Sequence, residues 1–251
     1  MHPFKNKHIL ITGASSGIGA ELARQLSAVT PYLTLTGRNP ERLGEVAKQC
    51  QGTPTCVIGD LRDAATLTSL QTSLQNRPLD IAILNAGTNQ TYTPGAEFKA
   101  AAFHDLMNTN VSTMVNCTEM VIPFLLKTKG QLVLMSSIAA YGGLPSAAAY
   151  CASKATIRSL AHCLDIDLRP KGVPVSCVCP GFVKTPLTDP NPFPMPFLLT
   201  VEDGAQRILT GIAKQKHEIH FPKRFSLVMK FIMSLPAHWR YRIIYTISKS
   251  I

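Results

Sequence analysis

Apolar positions along this chain switch between two spacings. His8 to Thr12 is a short apolar run that closes on a glycine turn. Over residues 18–29, Ile18, Leu22, Leu26 and Val29 recur on one face at helical spacing, which predicts a helix. Tyr32 to Thr36 is rich in β-formers and predicts a strand. The pattern continues with a helix over about 40–50, a strand at Thr55 to Ile58, a helix over 63–75 and a strand at Leu79 to Leu84. A long helix over 100–127 comes next, then a strand at Gln131 to Met135 and a helix over 147–169. A strand at Val173 to Val178, a helix over 201–214 and a strand at Glu218 to Phe221 complete the series. Strands and helices in alternation, joined by short links, demand an α/β fold. The expectation is a doubly wound parallel sheet of about seven strands with helices on both faces. Ligands bind such sheets outside the carboxyl ends of the strands. No repeat or low-complexity linker interrupts the chain. Residues 1–222 therefore read as one domain and 223–251 as an extension of it.

Composition alters this picture little; charge alters it more. Apolar residues make up 45% of the chain and charged residues 16%, enough for a sizeable core and too apolar for disorder. Met1 to Lys7 is short and basic without the apolar stretch of a signal peptide. No run reaches the ~20 apolar residues of a transmembrane helix, so a cytoplasmic protein is expected. The seven cysteines are scattered. Cys177 and Cys179 share a strand face with no further ligand near them, so reduced thiols and no metal are expected. Cys151, directly after Tyr150, is the thiol to watch. The net charge of +10 is uneven: residues 214–251 carry +7 and the rest +3.

Each chemistry-bearing motif follows a strand. The segment from Thr12 through Gly13 and Gly17 to Gly19 joins the first strand to the first helix. Glycines allow backbone to approach a ligand closely, and a helix N-terminus offers free N–H groups that suit a pyrophosphate. A tight turn with no ligand is the competing reading of these glycines alone. Further on come Asp60-Leu61, Asn85-Ala86-Gly87, Asn110, Ser137, Tyr150 with Lys154, and Pro180-Gly181. In this order and spacing, over residues 8 to about 221, the chain resembles the short-chain dehydrogenases/reductases.

The resemblance implies a Rossmann-type fold that holds a nicotinamide dinucleotide. It implies cofactor contacts from Gly13, Ser15, Ser16, Gly17, Ile18 and Gly19, and from Arg38 and Asn39 after the second strand. Asp60 and Leu61 would meet the adenine, and Asn85, Ala86 and Gly87 would hold the sheet and line the ribose. Pro180, Gly181, Val183 and Thr185 would flank the nicotinamide. Sites for NAD usually carry an acid after the second strand to bond the ribose 2′-OH. Here Gly37 stands there and Arg38 follows, so NADP(H) is expected over NAD(H), with the guanidinium on the 2′-phosphate. A solvated loop arginine is the plainer reading. Ser16 is also a departure, since many NADP-specific relatives place a basic residue there.

Tyr150 and Lys154 lie one helical turn apart on the same face. A nearby ammonium favours a phenolate, so a lowered Tyr150 pKa is expected, with the phenol exchanging a proton at the substrate oxygen. By resemblance, Lys154 also bonds the nicotinamide ribose, Ser137 bonds the carbonyl oxygen and Asn110 holds a water of the proton path. Taken singly, these residues have structural readings: a surface pair, a strand cap, a polar residue in a helix. Ser136 misses the spacing from Tyr150.

Residues 185–200 hold five prolines after Thr185 and correspond to the family's substrate lid. Phe193, Met195, Phe197, Leu198 and Leu199 would give it an apolar inner face, with Leu144, Pro145 and Ala147 as wall beside Tyr150. An apolar or lipid-like carbonyl compound is the expected substrate; packing against the body or another subunit is the alternative. In the tail, Lys223, Ser226, Lys230 and Ser234 form a polar stripe, and Trp239, Ile243 and Ile247 share a face after Pro236. An anionic membrane surface, a hairpin over the pocket and an oligomer contact all fit this pattern. One tryptophan and no recognition motif argue against nucleic acid.

The function expected is an NADP(H)-dependent ketone or aldehyde reductase or alcohol dehydrogenase, with a homodimer or homotetramer implied by resemblance. A 3-oxoacyl thioester reductase acting on an acyl carrier protein is the alternative. A non-catalytic dinucleotide sensor or scaffold is the alternative of another class.

Overall fold

The computed structural model describes residues 2–89, 98–191 and 194–249, and for 247–249 the backbone alone. Phe193 and the side chain of Ile247 thus lie outside the described residues. Among these residues a seven-stranded sheet has the order β3-β2-β1-β4-β5-β6-β7, with every pairing parallel. The strands are β1 (Ile9–Ile11), β2 (Leu33–Gly37), β3 (Thr55–Ile58), β4 (Ile81–Leu84), β5 (Gln131–Met135), β6 (Val175–Pro180) and β7 (Glu218–Phe221). The order reverses between β1 and β4, which opens a crevice at their carboxyl ends.

Successive strand residues point to opposite faces, and both faces are covered. Ile9 and Ile11 pack on one side with Leu22 and Leu26 of α1 (Gly17–Ser27), Leu43 of α2 (Pro40–Gln49) and Ile208 and Ile212 of α7 (Val201–Ala213). Leu10, Leu132 and Leu134 pack on the other side with Leu70 of α3 (Ala64–Gln75), Val121 of α5 (Thr113–Thr128) and Ile157 of α6 (Ala148–Leu168). Double coverage is why the strands read as nearly unbroken apolar runs.

Two expectations need correction, and a third pattern gains a direction. The single helix over 100–127 is two: α4 (Ala100–Met107) and α5, joined by a π-helical turn at Asn108–Ser112. The sixth strand begins at Val175 and runs through Pro180, two residues later than predicted. The polar stripe of the tail is split: Ser226 and Lys230 face the body, whereas Lys223 and Ser234 are exposed. In α8 (Lys223–Ser234), Ser226 is buried against His220 (Oγ to Nδ1, 2.7 Å) and Lys230 Nζ lies 2.5 Å from Glu218. Leu227, Val228 and Phe231 face solvent instead. The second tail helix, α9 (Ala237–Lys249), follows after Pro236. No helix among the described residues is long and apolar enough to cross a membrane.

Candidate active site

The crevice at the carboxyl ends of β1, β4, β5 and β6 holds a groove of about 360 Å³. Its floor is the turn after β1. Gly13 and Gly17 adopt left-handed φ of +66° and +54°, where a side chain would be strained. A Cβ on Gly13 would stand 2.8 Å from Ala86 Cα, so the turn can close on β4 only as glycine. Gly19 sits beneath the loop with the same constraint, its missing Cβ 2.6 Å from Asn85 Nδ2. It supports the groove without lining it. Ser15, Ser16 and Ile18 do line it. Ser16 caps α1 with its side chain uncommitted, and the first turn has no acid, so free N–H groups meet an unopposed positive helix end.

Thr12, given no role from sequence, organises this corner. Its buried hydroxyl accepts from the backbone N–H of Asn85 (2.9 Å) and Ala86 (3.0 Å). Asn85 Nδ2 donates back to the carbonyls of Thr12 (3.1 Å) and Gly13 (3.2 Å). The signal was a threonine at the end of an apolar strand, just before a conformationally special glycine.

Around the rim, Gly37 packs against Ser15, and Arg38 follows with 65% of its side chain exposed. Arg38 Nη1 is 3.9 Å from Asp60, whose carboxylate is clamped by Arg62 at 2.7 Å. That clamp holds Asp60 below the usual carboxylate range. Asp60 and Leu61 line the groove as expected. Asn39 does not: its side chain accepts from Arg42 N (2.7 Å) and caps α2.

At the other end Ser137, Tyr150 and Lys154 line the same groove, with Pro180, Gly181, Val183 and Thr185 opposite. Ser137 caps the short helical turn Ile138–Tyr141; its Oγ accepts from Ala139 N (3.1 Å) and donates to Pro180 O (3.4 Å). Lys154 is buried, and its Nζ donates to Met135 O at 3.1 Å. Burial lowers its pKa to about 8. Nζ lies 5.7 Å from the Tyr150 ring centre. The expected lowering of the Tyr150 pKa is not found. Desolvation of the phenol raises it, against a hydrogen bond to Ser137 that pulls the other way. Lys154 spends its proton on a carbonyl and stands too far from the phenol to reverse that balance.

Asn110 is wholly buried and does not line the groove. Its Oδ1 accepts from Thr88 N (2.7 Å), and its Nδ2 donates to Thr88 O (2.9 Å) and Ser153 Oγ (3.1 Å). It fastens the loop after β4 to the helix that carries Tyr150. Ser153, which also donates to Tyr150 O, was not singled out from sequence. Ser136 donates to Lys154 O (2.8 Å) and is structural.

The lid begins with Thr188, whose hydroxyl accepts from Thr185 N (3.0 Å) and donates to Val183 O (2.7 Å). Leu199 bridges to Val183 and packs on the core. Phe197 and Leu198 are exposed, against the expectation of an inner face; backbone pairing at Leu199 turns them outward. Leu144 and Pro145 line a second cavity rather than this groove. Cys151 is buried and its thiol pushed up, which leaves it unreactive. No metal-binding cluster is found among the described residues.

The groove suits a dinucleotide on its own evidence. Missing Cβ atoms make the cradle, and Thr36 in its wall carries a buried hydroxyl without a partner among the described residues. The family model described as short chain dehydrogenase matches residues 7–192. An uncharacterized oxidoreductase of Myxococcus xanthus is 33% identical over 233 residues, covering 90% of this chain and 92% of its own. The 3-oxoacyl-(acyl-carrier-protein) reductase of Rickettsia prowazekii is 31% identical over 184 residues, 73% of this chain and 75% of its own. A short-chain dehydrogenase from Sphingobium yanoikuyae, solved in complex with NADPH, superposes with a TM-score of 0.78 at 22% identity. The match covers 92% of this chain and 97% of that one, and at this identity it speaks to fold alone.

Proposed function

Since the chain belongs to the short-chain dehydrogenase/reductase family and is an oxidoreductase, we propose that it interconverts a ketone or aldehyde and an alcohol with NADP(H). The observation that carries this reading is the presence of Ser137, Tyr150 and Lys154 in one groove with the glycine turn and Arg38. When bound, the nicotinamide supplies or accepts the hydride at the carbonyl carbon. In reduction, Tyr150 gives its phenolic proton to the substrate oxygen, and Ser137 donates a hydrogen bond to that oxygen. Lys154, buried in the groove wall, would hold the nicotinamide ribose. Asn110 keeps the Thr88 loop and the Tyr150 helix in register. Arg38 and Ser15 would take the 2′-phosphate, and Gly37 brings no carboxylate against it at the end of β2.

Turnover of a panel of carbonyl compounds, graded by chain length and followed through NADPH absorbance, tests the reaction. Tyr150→Phe should lower kcat by about 10²–10⁴ while NADPH still binds by fluorescence titration. Turnover that survives the change would refute the mechanism. Absence of turnover in the unaltered protein with every carbonyl would favour a sensor or scaffold. A 3-oxoacyl thioester belongs in the panel, given the Rickettsia relative. Exposed Val115 and Leu126 on α5 and Ile166 on α6 support a homo-oligomer through those helices. Light scattering checks this, and a monomer at micromolar concentration contradicts it.

A further inference from the structure

A second cavity of about 890 Å³ lies between the segment Gly142–Pro145 and the two tail helices. It shares no lining residue with the groove. Its size is that of a small-molecule site. Leu144, Pro145 and Met233 make one wall, and Tyr241 with the stems of Arg240 and Arg242 makes the other. Met233 fixes the first wall by lying against Gly142, where a Cβ would come within 2.5 Å of the methionine methyl.

The charge in this cavity is uncompensated. Arg240 and Arg242 form no ion pair with any described residue, and the chain has no acid after Glu218. Glu218 itself is taken by Arg158 (2.8 Å) and Lys230 (2.5 Å). Arg240 donates only a long bond to Met233 O (3.4 Å), and its guanidinium lies over the Tyr241 ring, 5.2 Å from the centre. Arg242 accepts from the Thr246 hydroxyl through its carbonyl (2.9 Å), and its guanidinium has no hydrogen-bond partner among the described residues. Two guanidinium groups at an apolar, aromatic-walled cavity match a ligand with an apolar body and an anionic end. The cavity also adjoins the catalytic helix: Leu144 and Pro145 precede Tyr150 by six and five residues.

We propose that this cavity is the outer substrate subsite, and that the substrate is an amphipathic carbonyl compound with a carboxylate or similar anionic end. Its anion sits between Arg240 and Arg242. Its apolar body crosses Leu144 and Pro145, and its carbonyl reaches Tyr150. This rests on the reductase reading above and narrows its substrate class.

Trp239, the single tryptophan, stands on α9 next to Arg240 and reports binding directly. Dodecanoate below its micellar concentration should change Trp239 emission saturably in the full-length protein. Dodecanol should bind at least tenfold more weakly. Arg240→Gln with Arg242→Gln should weaken dodecanoate about tenfold or more, with NADPH affinity as the folding control. Tyr150→Phe should leave dodecanoate binding intact. Equal affinity for dodecanoate and dodecanol, or no response to the arginine pair, overturns the proposal. So does a response only when the anion is presented in phosphatidylglycerol vesicles, which would make the tail a membrane surface instead. Loss of all carbonyl turnover sinks the reductase reading. Turnover without dodecanoate binding sinks the subsite alone.

Discussion

Glu218 joins four elements at one carboxylate, which makes it a strong test of what holds the tail to the body. Arg158 of α6 lies 2.8 Å from it, Lys230 of α8 2.5 Å, His162 3.5 Å, and the Tyr141 hydroxyl donates to it at 3.1 Å. Burial alone would raise its pKa, but Lys230 and Arg158 hold it at about 2 against an ordinary 4.5. That difference corresponds to about 3 kcal/mol in favour of the folded, ionised form. The cations are each about a third exposed, so water screens part of it and about 2 kcal/mol is the fair expectation. Glu218→Gln should therefore lower Tm at pH 7 by about 4–8 °C in a chain of this size. A carboxylate with a depressed folded pKa stabilises fully above its unfolded pKa and loses that contribution as pH falls. The gap between the wild type and the variant should thus be constant above about pH 5 and narrow by about 1 kcal/mol near pH 3.5. Urea unfolding of both proteins from pH 7 to 3.5 measures it. An unchanged Tm at pH 7, or a gap that stays constant to pH 3.5, would refute the account.

Arg38→Asp should raise the NADPH dissociation constant roughly 100-fold and leave NADH binding nearly unchanged; equal effects on both would remove the 2′-phosphate assignment. Lys154→Met should abolish turnover yet raise the stability of the cofactor-free protein by about 2 kcal/mol, because a buried ammonium is removed. A lysine whose folded pKa is depressed destabilises below that pKa. The wild type should accordingly gain stability between about pH 8 and 10.5 and the Met variant should not, as chemical denaturation at each pH will show. Gly19→Ala drives a methyl into the Gly13 carbonyl and the Asn85 amide; it should cost about 3 kcal/mol and eliminate NADPH binding, whereas a variant with normal affinity would contradict the packing described.

Most of the fold could be read in the chain because β1, β2, β4, β5 and β6 are buried on both faces and most helices bury one. That arrangement writes two clean periods into the sequence. The groove was equally legible where backbone geometry demands glycine, as at Gly13 and Gly17, and where one helix turn separates Tyr150 from Lys154. Long-range partners left no such trace. Nothing local marks Asn110 as a clasp on Thr88, since the Thr88 N–H and carbonyl it pairs with lie in a loop 22 residues away. The π turn at Asn108–Ser112 is a sequence of ordinary helix-tolerant residues, so periodicity ran straight through it. The polar stripe of α8 was visible, but its direction depends on Glu218 and His220, which lie on another element. The direction of the Tyr150 pKa is not legible in the sequence, which places Lys154 on the right face but does not show Met135 O competing for it or the burial of the phenol.

The contact between Gly142 and Met233 also sets a rule for exchanging parts among relatives. The family match ends at residue 192, before the last two helices begin. Their seat is a spot where the body has no side chain at all, a few residues after Ser137. A tail grafted from another member would dock only if its residue at this place fits a bare backbone, and any body with a larger residue at 142 would reject this tail. Positions 142 and 233 should therefore change together across natural chimeras, a coupling that a library of swapped tails could read out directly by sequencing the survivors.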